Sequence, residues 1–247
     1  LVIAVNNCLT EIVDLLINNE SFDPEESELN YAFYLSTNEI ARLLFPLKSL
    51  DVNFSLIQYQ SVYYDSIKTI GVSDYSKLVL YDTPLVKATN SNDINMIELI
   101  IKHPSFDKIR SQLKKSIFLT AENDQIEIFR KLISIEDNDV NISTATKSLL
   151  DTAVQNLSRN VITEILMNPK FDSKLNDLQS IFIGAVTKYG TFIDAENEKM
   201  LEIMNELCEY DIKNNHLIDF ESLLSTGFSF FTLRFNTNCI ENYVNFL

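Results

Sequence analysis

The sequence predicts an all-α fold, an α-solenoid of stacked helix–turn–helix units, and three observations carry that expectation. A twenty-position pattern recurs without a gap: "AVNNCLTEIVDLLINNESFD" from Ala4 to Asp23 matches "ATNSNDINMIELIIKHPSFD" from Ala88 to Asp107 in its order of small, polar, paired apolar and final Phe-Asp positions. The apolar pairs within it lie four residues apart, a spacing that draws one continuous stripe along a helix. Glycine is scarce, four residues in 247, which argues against a Gly-rich β-sandwich or a phosphate-cradling enzyme.

Five origins define the repeat: Ala4, Ala32, Ala88, Thr120 and Ala153, each followed 19 residues later by an aspartate, Asp23, Asp51, Asp107, Asp139 and Asp172. Eight and nine residues after the origins stand Ile12-Val13, Ile40-Ala41, Met96-Ile97, Ile128-Phe129 and Val161-Ile162. Twelve and thirteen after them stand Leu16-Ile17, Leu44-Phe45, Ile100-Ile101, Leu132-Ile133 and Ile165-Leu166. All twenty are apolar; at 46% apolar content the chance is about 10⁻⁷ for a fixed frame, which is the mark of an internal repeat. Three residues before each origin comes a large aliphatic, Leu1, Leu29, Leu85, Ile117 or Leu150.

Taken in order, each unit reads as a short helix from the aliphatic through the small origin, a polar turn, and a second helix bearing the apolar pairs. The turns are "NNCLT", "LSTN", "NSND", "ENDQ" and "QNLSR". The small origin lets two helices approach closely. The expected units are 1–28, 29–53, 82–114, 115–146, 147–178 and 179–212, the last with its origin at Ala185. Between the second and third lies a Tyr-rich segment, 54–81, with Tyr59, Tyr63, Tyr64, Tyr75 and Tyr81. It is either a binding excursion, since Tyr offers contact area with a polar end, or a degenerate repeat packing between its neighbours. In the sixth unit "YGTFIDAENEK" is expected to lengthen the turn before a helix "MLEIMNELCEY". Residues 213–247 read as an atypical C-terminal helical unit with Phe228, Phe230, Phe231 and Phe235 as core; terminal units of repeat arrays are commonly atypical.

"DTPLVKATNSNDINMIELIIKHPSFD", Asp82 to Asp107, resembles the ankyrin repeat, whose hallmarks are Thr-Pro-Leu-His, a small-residue pair and a Val-Val-x-Leu-Leu-Leu helix. The physical sense of Thr83-Pro84-Leu85 is independent of the name: Thr caps a helix, Pro suits its first turn, and Leu opens the buried face. "DVNFS" at Asp51 and "DVNIS" at Asp139 look like the family's Asp-Val-Asn start of the outer loop. The resemblance covers Leu1 to Asp211 apart from residues 54–81. It departs at Val86, which stands in the family's histidine position. The usual Gly between the helices is replaced by Cys8, Ser36, Asn92, Asp124 and Leu157, and the Gly after the second helix by Glu20, Lys48, Pro104, Glu136 and Pro169. Asn and Asp tolerate left-handed backbone, whereas Leu and Pro do not, so irregular loops are expected.

The resemblance implies that residues just before, and two or three after, each origin face a groove. These are Ile3, Asn6 and Asn7; Tyr31, Tyr34 and Leu35; Lys87, Asn90 and Ser91; Leu119, Glu122 and Asn123; Thr152, Gln155 and Asn156. Tyr31, Tyr34 and Leu35 would form an exposed aromatic patch able to anchor a partner, or would be buried beneath the Tyr-rich segment.

No catalytic constellation is expected. His103 and His216 are the two histidines, and His103, ending a helix before Pro104, is expected to cap it or face solvent. No HExxH, Walker A, GxGxxG or CxxC motif occurs, so neither metal nor cofactor is expected. The acidic pairs Glu25-Glu26 and Asp137-Asp139 read as solvated loop charges. Twenty basic against 35 acidic residues give a net charge of -15, which repels phosphate backbones and anionic lipid, so nucleic acid and membrane are poor partners. Cys8, Cys208 and Cys239 match neither a disulfide framework nor a zinc spacing, as in a reducing, cytoplasmic setting. Asn-x-Ser sequons stand at positions that include Asn53, Asn141 and Asn156, and the chain begins with Leu1 rather than Met, as an excerpt of a longer protein would. No signal segment or bilayer-length apolar run is present. The expectation is therefore a non-enzymatic adaptor or scaffold that binds a protein through the concave face of the solenoid; the alternative is a structural spacer within a larger chain.

Overall fold

The computed structural model describes residues 1–55, 83–188, 194–214 and 218–219. The calls on Tyr59 to Tyr81, on the 189–193 turn, on His216, Cys239 and the C-terminal phenylalanines lie outside the described residues. Among those residues there are twelve α-helices and no strand: α1 Val2–Asn6, α2 Thr10–Ile17, α3 Leu29–Leu35, α4 Asn38–Leu44, α5 Pro84–Asn90, α6 Ile94–Lys102, α7 Leu113–Glu122, α8 Ile126–Ile135, α9 Leu149–Gln155, α10 Arg159–Leu166, α11 Leu178–Lys188 and α12 Asp194–Asn214. The fold is all-α. It divides into two compact units, Leu1–Leu119 and Thr120–Leu247, with the division inside α7.

Within the first unit α1 packs on α2 and α3, α2 on α4, α3 on α4, α4 on α6, and α5 on α6. Within the second, α8 packs on α10, α9 on α10 and α11, α10 on α12, and α11 on α12. The apolar pairs explain this. Val13, Ala41, Ile97, Phe129 and Ile162, nine residues after their origins, are all fully buried. Leu29, Leu85, Ile117 and Leu150, the aliphatics before the origins, are buried too. Full burial of the Val, Leu, Ile and Phe side chains among them stabilises by roughly 1.5–3 kcal/mol each. Thr83 caps α5 as its sequence suggests: its Oγ1 accepts from the Val86 N–H at 3.3 Å and donates to the Ser111 carbonyl at 2.8 Å. Helix α12 corrects one expectation, because it begins at Asp194 rather than near Met200; most of the inserted stretch lengthens the helix instead of the turn.

The loops are more regular than their lack of glycine suggests. Cys8, Asn92, Asp124 and Leu157 all have left-handed backbone, with φ of 54°, 55°, 52° and 59°. In each case the next residue's N–H returns to the origin's carbonyl: Leu9 to Ala4, Asp93 to Ala88, Gln125 to Thr120 and Ser158 to Ala153, at 2.8–3.0 Å. That bond is the closing bond of a Schellman cap, and the geometry demands a left-handed residue. The helix ends therefore impose the conformation on Cys and Leu, which adopt it against a steric cost. Only Ser36, among these five positions, stays extended.

The five repeat aspartates all do one job. Each Oδ1 accepts from the N–H two residues on: Asp23 from Glu25, Asp51 from Asn53, Asp107 from Ile109, Asp139 from Asn141 and Asp172 from Lys174, at 2.8–3.0 Å. These are Asx turns. After Asp23, Asp107 and Asp172 the chain makes one turn and reverses at left-handed Glu28, Gln112 and Asp177. After Asp51 and Asp139 an asparagine latches onto the following pair. Asn53 Oδ1 accepts from the Asp107 N–H at 2.8 Å and its Nδ2 donates to the Ser105 carbonyl. Asn141 repeats this with the Asp172 N–H at 2.8 Å and the Lys170 carbonyl at 2.7 Å. The sequons at Asn53 and Asn141 are thus parts of a structural latch.

Candidate partner-binding face

The first helices and the turns that follow them carry the residues expected to meet a partner. In the first unit α3 places Tyr31, Tyr34 and Leu35, and α5 places Lys87 and Asn90 with Ser91 at its end. The exposed aromatic patch is not there. Tyr34 is only 5% exposed, and Tyr31 and Leu35 are half-buried. Tyr31 lies 6.5 Å from Phe54 between ring centroids, and its hydroxyl pKa is raised by burial and then by the Glu28 carboxylate. Tyr34, two past its origin, turns toward its neighbours rather than outward, which the sequence pattern alone could not distinguish.

Lys87 explains the closure. Its Nζ donates to the Tyr34 carbonyl at the C-terminal end of α3 and lies 4.8 Å above the Tyr34 ring. A cation there bonds a carbonyl of the last helical turn and meets the negative end of the dipole. Burial lowers the Lys87 pKa, and the nearby Asp93 carboxylate works against that. Asp93 in turn caps α6 by accepting from the Met96 N–H at 3.0 Å and receives both contacts of the Asn38 amide at 2.9–3.0 Å. Lys87, Asp93 and Asn38 form one polar seam bordering a small cleft between α3 and α5. The second unit repeats the lysine contact: Lys188 Nζ donates to the carbonyl of Gln155, the last residue of α9, at 3.2 Å.

Several expected contact residues spend their polar groups at home. Asn7 Nδ2 donates to Ile3 O at 2.8 Å, Ser91 Oγ to Lys87 O at 3.0 Å and Asn156 Nδ2 to Thr152 O at 2.9 Å. The third residue past the origin is thus a second cap on the first helix. Asn90 in the first unit, and Glu122, Asn123 and Asn156 in the second, are exposed. Gln155 is half-buried, its amide nitrogen so near Gly184 that a Cβ there would stand 3.0 Å away. Of the other expected positions, Ile3, Asn6 and Asn7 are exposed, Leu119 is half-buried and Thr152 is buried.

His103 is buried, at 7% exposure, so it does not face solvent. It closes α6 as the cap residue, and its Nδ1 accepts from the Ser105 N–H at 3.1 Å. Asn19 and Asn168 stand at the same distance before their own aspartates and accept the matching N–H, from Ser21 at 2.8 Å and Lys170 at 2.9 Å. The imidazole does an asparagine's work. Phe45 meets it edge-on at 4.9 Å, and burial lowers its pKa, offset in part by the Phe45 backbone and Asp51.

In the second unit a cleft of about 300 Å³ lies between the Ser143–Ser148 loop and the start of α11. Two of its hydroxyls are engaged: Thr144 Oγ1 donates to Lys147 O at 3.1 Å, and Ser148 Oγ caps α9 through the Asp151 N–H at 3.1 Å. Among the described residues no group of three or more His, Cys, Asp or Glu could hold a metal ion, and no helix is long and apolar enough to cross a membrane. The sequence reading passed over an apolar row on the first helix pair, Leu9, Ile12, Leu15 and Leu16, all exposed. The sequence holds no separate signal for it, since the stripe matches those that the other second helices bury. Compared with protein-family models, with curated proteins and with solved structures, the chain shows no match.

Proposed function

We propose that the helix pairs are divergent ankyrin-like repeats and that the chain is a non-enzymatic, cytoplasmic protein-binding module. One observation carries this reading: a constant frame presents different side chains at matching positions. The frame is the recurring Schellman cap, the Asx turn at each aspartate and the buried apolar pairs. The variable side chains are Asn90 and Ser91 in the first unit and, at the same two positions, Glu122 and Asn123 in the second. Repeat proteins acquire specificity in this way, by varying surface positions over a fixed core. The spacing of Cys8, Cys208 and Cys239 matches no disulfide framework, which supports a reducing setting.

The test is affinity capture from lysate with the native chain, an Asn90→Arg variant and a Glu122→Lys, Asn123→Arg variant, each confirmed helical by circular dichroism. A protein captured by the native chain and lost with one variant supports the reading and assigns the contact to that unit. Capture unchanged by both variants moves the contact off these turns. Absence of any specific capture favours a spacer.

A further inference from the structure

The first helix pair differs from the others in what its second helix leaves open. Eight and twelve residues after the origin, Ile40, Met96, Ile128 and Val161, and Leu44, Ile100, Leu132 and Ile165, are at most 8% exposed. In α2 the same two positions, Ile12 and Leu16, are 45% and 39% exposed, and Leu15 beside them is 72% exposed. The cause is visible in the packing. Second helices lie against the second helix of the preceding pair, α4 on α2 and α6 on α4 in the first unit, α10 on α8 and α12 on α10 in the second. Helix α2 has no such neighbour among the described residues.

In the second unit both seams between second helices carry charge pairs of the same order. Arg130 of α8 donates to Glu164 of α10 through both Nε and Nη2, at 2.9 and 2.7 Å. Arg159 of α10 meets Glu202 and Glu206 of α12. The preceding helix brings the arginine and the following helix brings the carboxylate. Helix α2 carries two exposed carboxylates, Glu11 and Asp14, next in sequence to Ile12 and Leu15, with Asp14 Oδ1 also accepting from Asn18 Nδ2 at 3.0 Å. Residues 1–41 contain eight acidic side chains and no Lys, Arg or His. Two copies of this face would repel one another, and anionic lipid would be repelled as well.

We propose that the outer face of α1 and α2 docks a cationic amphipathic helix from a separate protein. Its apolar stripe packs on Ile12, Leu15 and Leu16, and its Arg or Lys flank pairs with Glu11 and Asp14. This is helix-in-groove recognition with charge complementarity fixing the partner's sign. The face is separate from the first-helix turns, so its failure leaves the preceding proposal standing.

The experiment uses the full chain and two dye-labelled sixteen-residue helical peptides with one shared leucine stripe, flanked by Arg in one and by Glu in the other. Fluorescence anisotropy should give at least tenfold tighter binding for the Arg peptide. Leu15→Asp should weaken the Arg peptide tenfold or more; at 72% exposure the change leaves folding intact, which circular dichroism checks. Unspecific attraction to the net charge of -15 would instead be strengthened by the added carboxylate. Glu11→Lys with Asp14→Lys should reverse the peptide preference. Equal affinity for both peptides, or a Leu15→Asp variant that binds like the native chain, overturns the proposal. A native chain that sediments as a dimer, made monomeric by Leu15→Asp, also overturns it and assigns the face to a second copy.

Discussion

The two asparagine latches make the same hydrogen bonds in different surroundings. Asn53 is 3% exposed, and its neighbourhood is reinforced: Ser105 Oγ accepts from the Val52 N–H at 3.4 Å and donates to Leu50 O at 3.2 Å, and Arg110 pairs with Asp51. Asn141 is half-buried beside an exposed Asp139, with Asn176 Nδ2 adding a contact to its Oδ1 at 3.0 Å. The difference teaches that position sets the geometry here, while the residue and its burial set the energy. An unsatisfied group costs most where water cannot replace the lost partner.

Asn53→Ala should therefore have the largest effect. It strands the Ser105 carbonyl and the Asp107 N–H, and a loss of about 3 kcal/mol is expected from 1–3 kcal/mol per stranded group, read as a lower urea midpoint. Asn141→Ala strands the matching pair near solvent and should cost about 1 kcal/mol. Equal losses for the two variants would break the comparison and show that burial does not govern the latch.

The residue that holds the Ser105 N–H beside the first latch is His103, whereas Asn168 holds the matching Lys170 N–H beside the second. Only the histidine titrates. Its folded pKa lies below the ordinary 6.5, so the unfolded chain takes up the proton first as pH falls. The stabilisation is complete above pH 6.5 and is lost as pH falls through the folded pKa. Protonated Nδ1 can no longer accept from Ser105. His103→Asn should keep the hydrogen bond and flatten this part of the stability profile between pH 7 and 5, while Asn168→His should steepen it. A His103→Asn profile parallel to the native one would remove the imidazole from the account.

Much of this frame was legible before the structure, because it rests on apolar periodicity. The pairs at Met96-Ile97 and Ile100-Ile101 lie in α6, and the turns "NSND" and "QNLSR" fall between helices. What escaped was decided by hydrogen bonding rather than by polarity. Tyr34 is buried because Lys87 reaches across to its carbonyl, a contact between residues 53 positions apart. From sequence alone His103 reads as a capping or solvent-facing group, because no single-residue rule reveals that it stands in an asparagine's place. The exposed row on α2 was hidden for the opposite reason: its stripe matches the buried ones, and only its neighbours differ.

The turns between helices offer the smallest effect and the closest control. Cys8 and Asn92 are both exposed, both end a first helix, and both have φ near 55°. A left-handed conformation costs an ordinary L-residue roughly 1–2 kcal/mol, while Asn visits it more readily. Glycine removes that strain but adds roughly 0.5–1 kcal/mol of chain entropy to be lost on folding. Cys8→Gly should then gain about 0.5 kcal/mol in urea unfolding, whereas Asn92→Gly should change stability little or lower it slightly. The closing bonds, Leu9 to Ala4 and Asp93 to Ala88, are backbone bonds that neither substitution touches, so the two variants differ only in the strain relieved. A gain at Asn92 as large as that at Cys8 would mean the cap imposes the same strain whichever residue occupies it, and the separation of geometry from residue cost would fail at its simplest position.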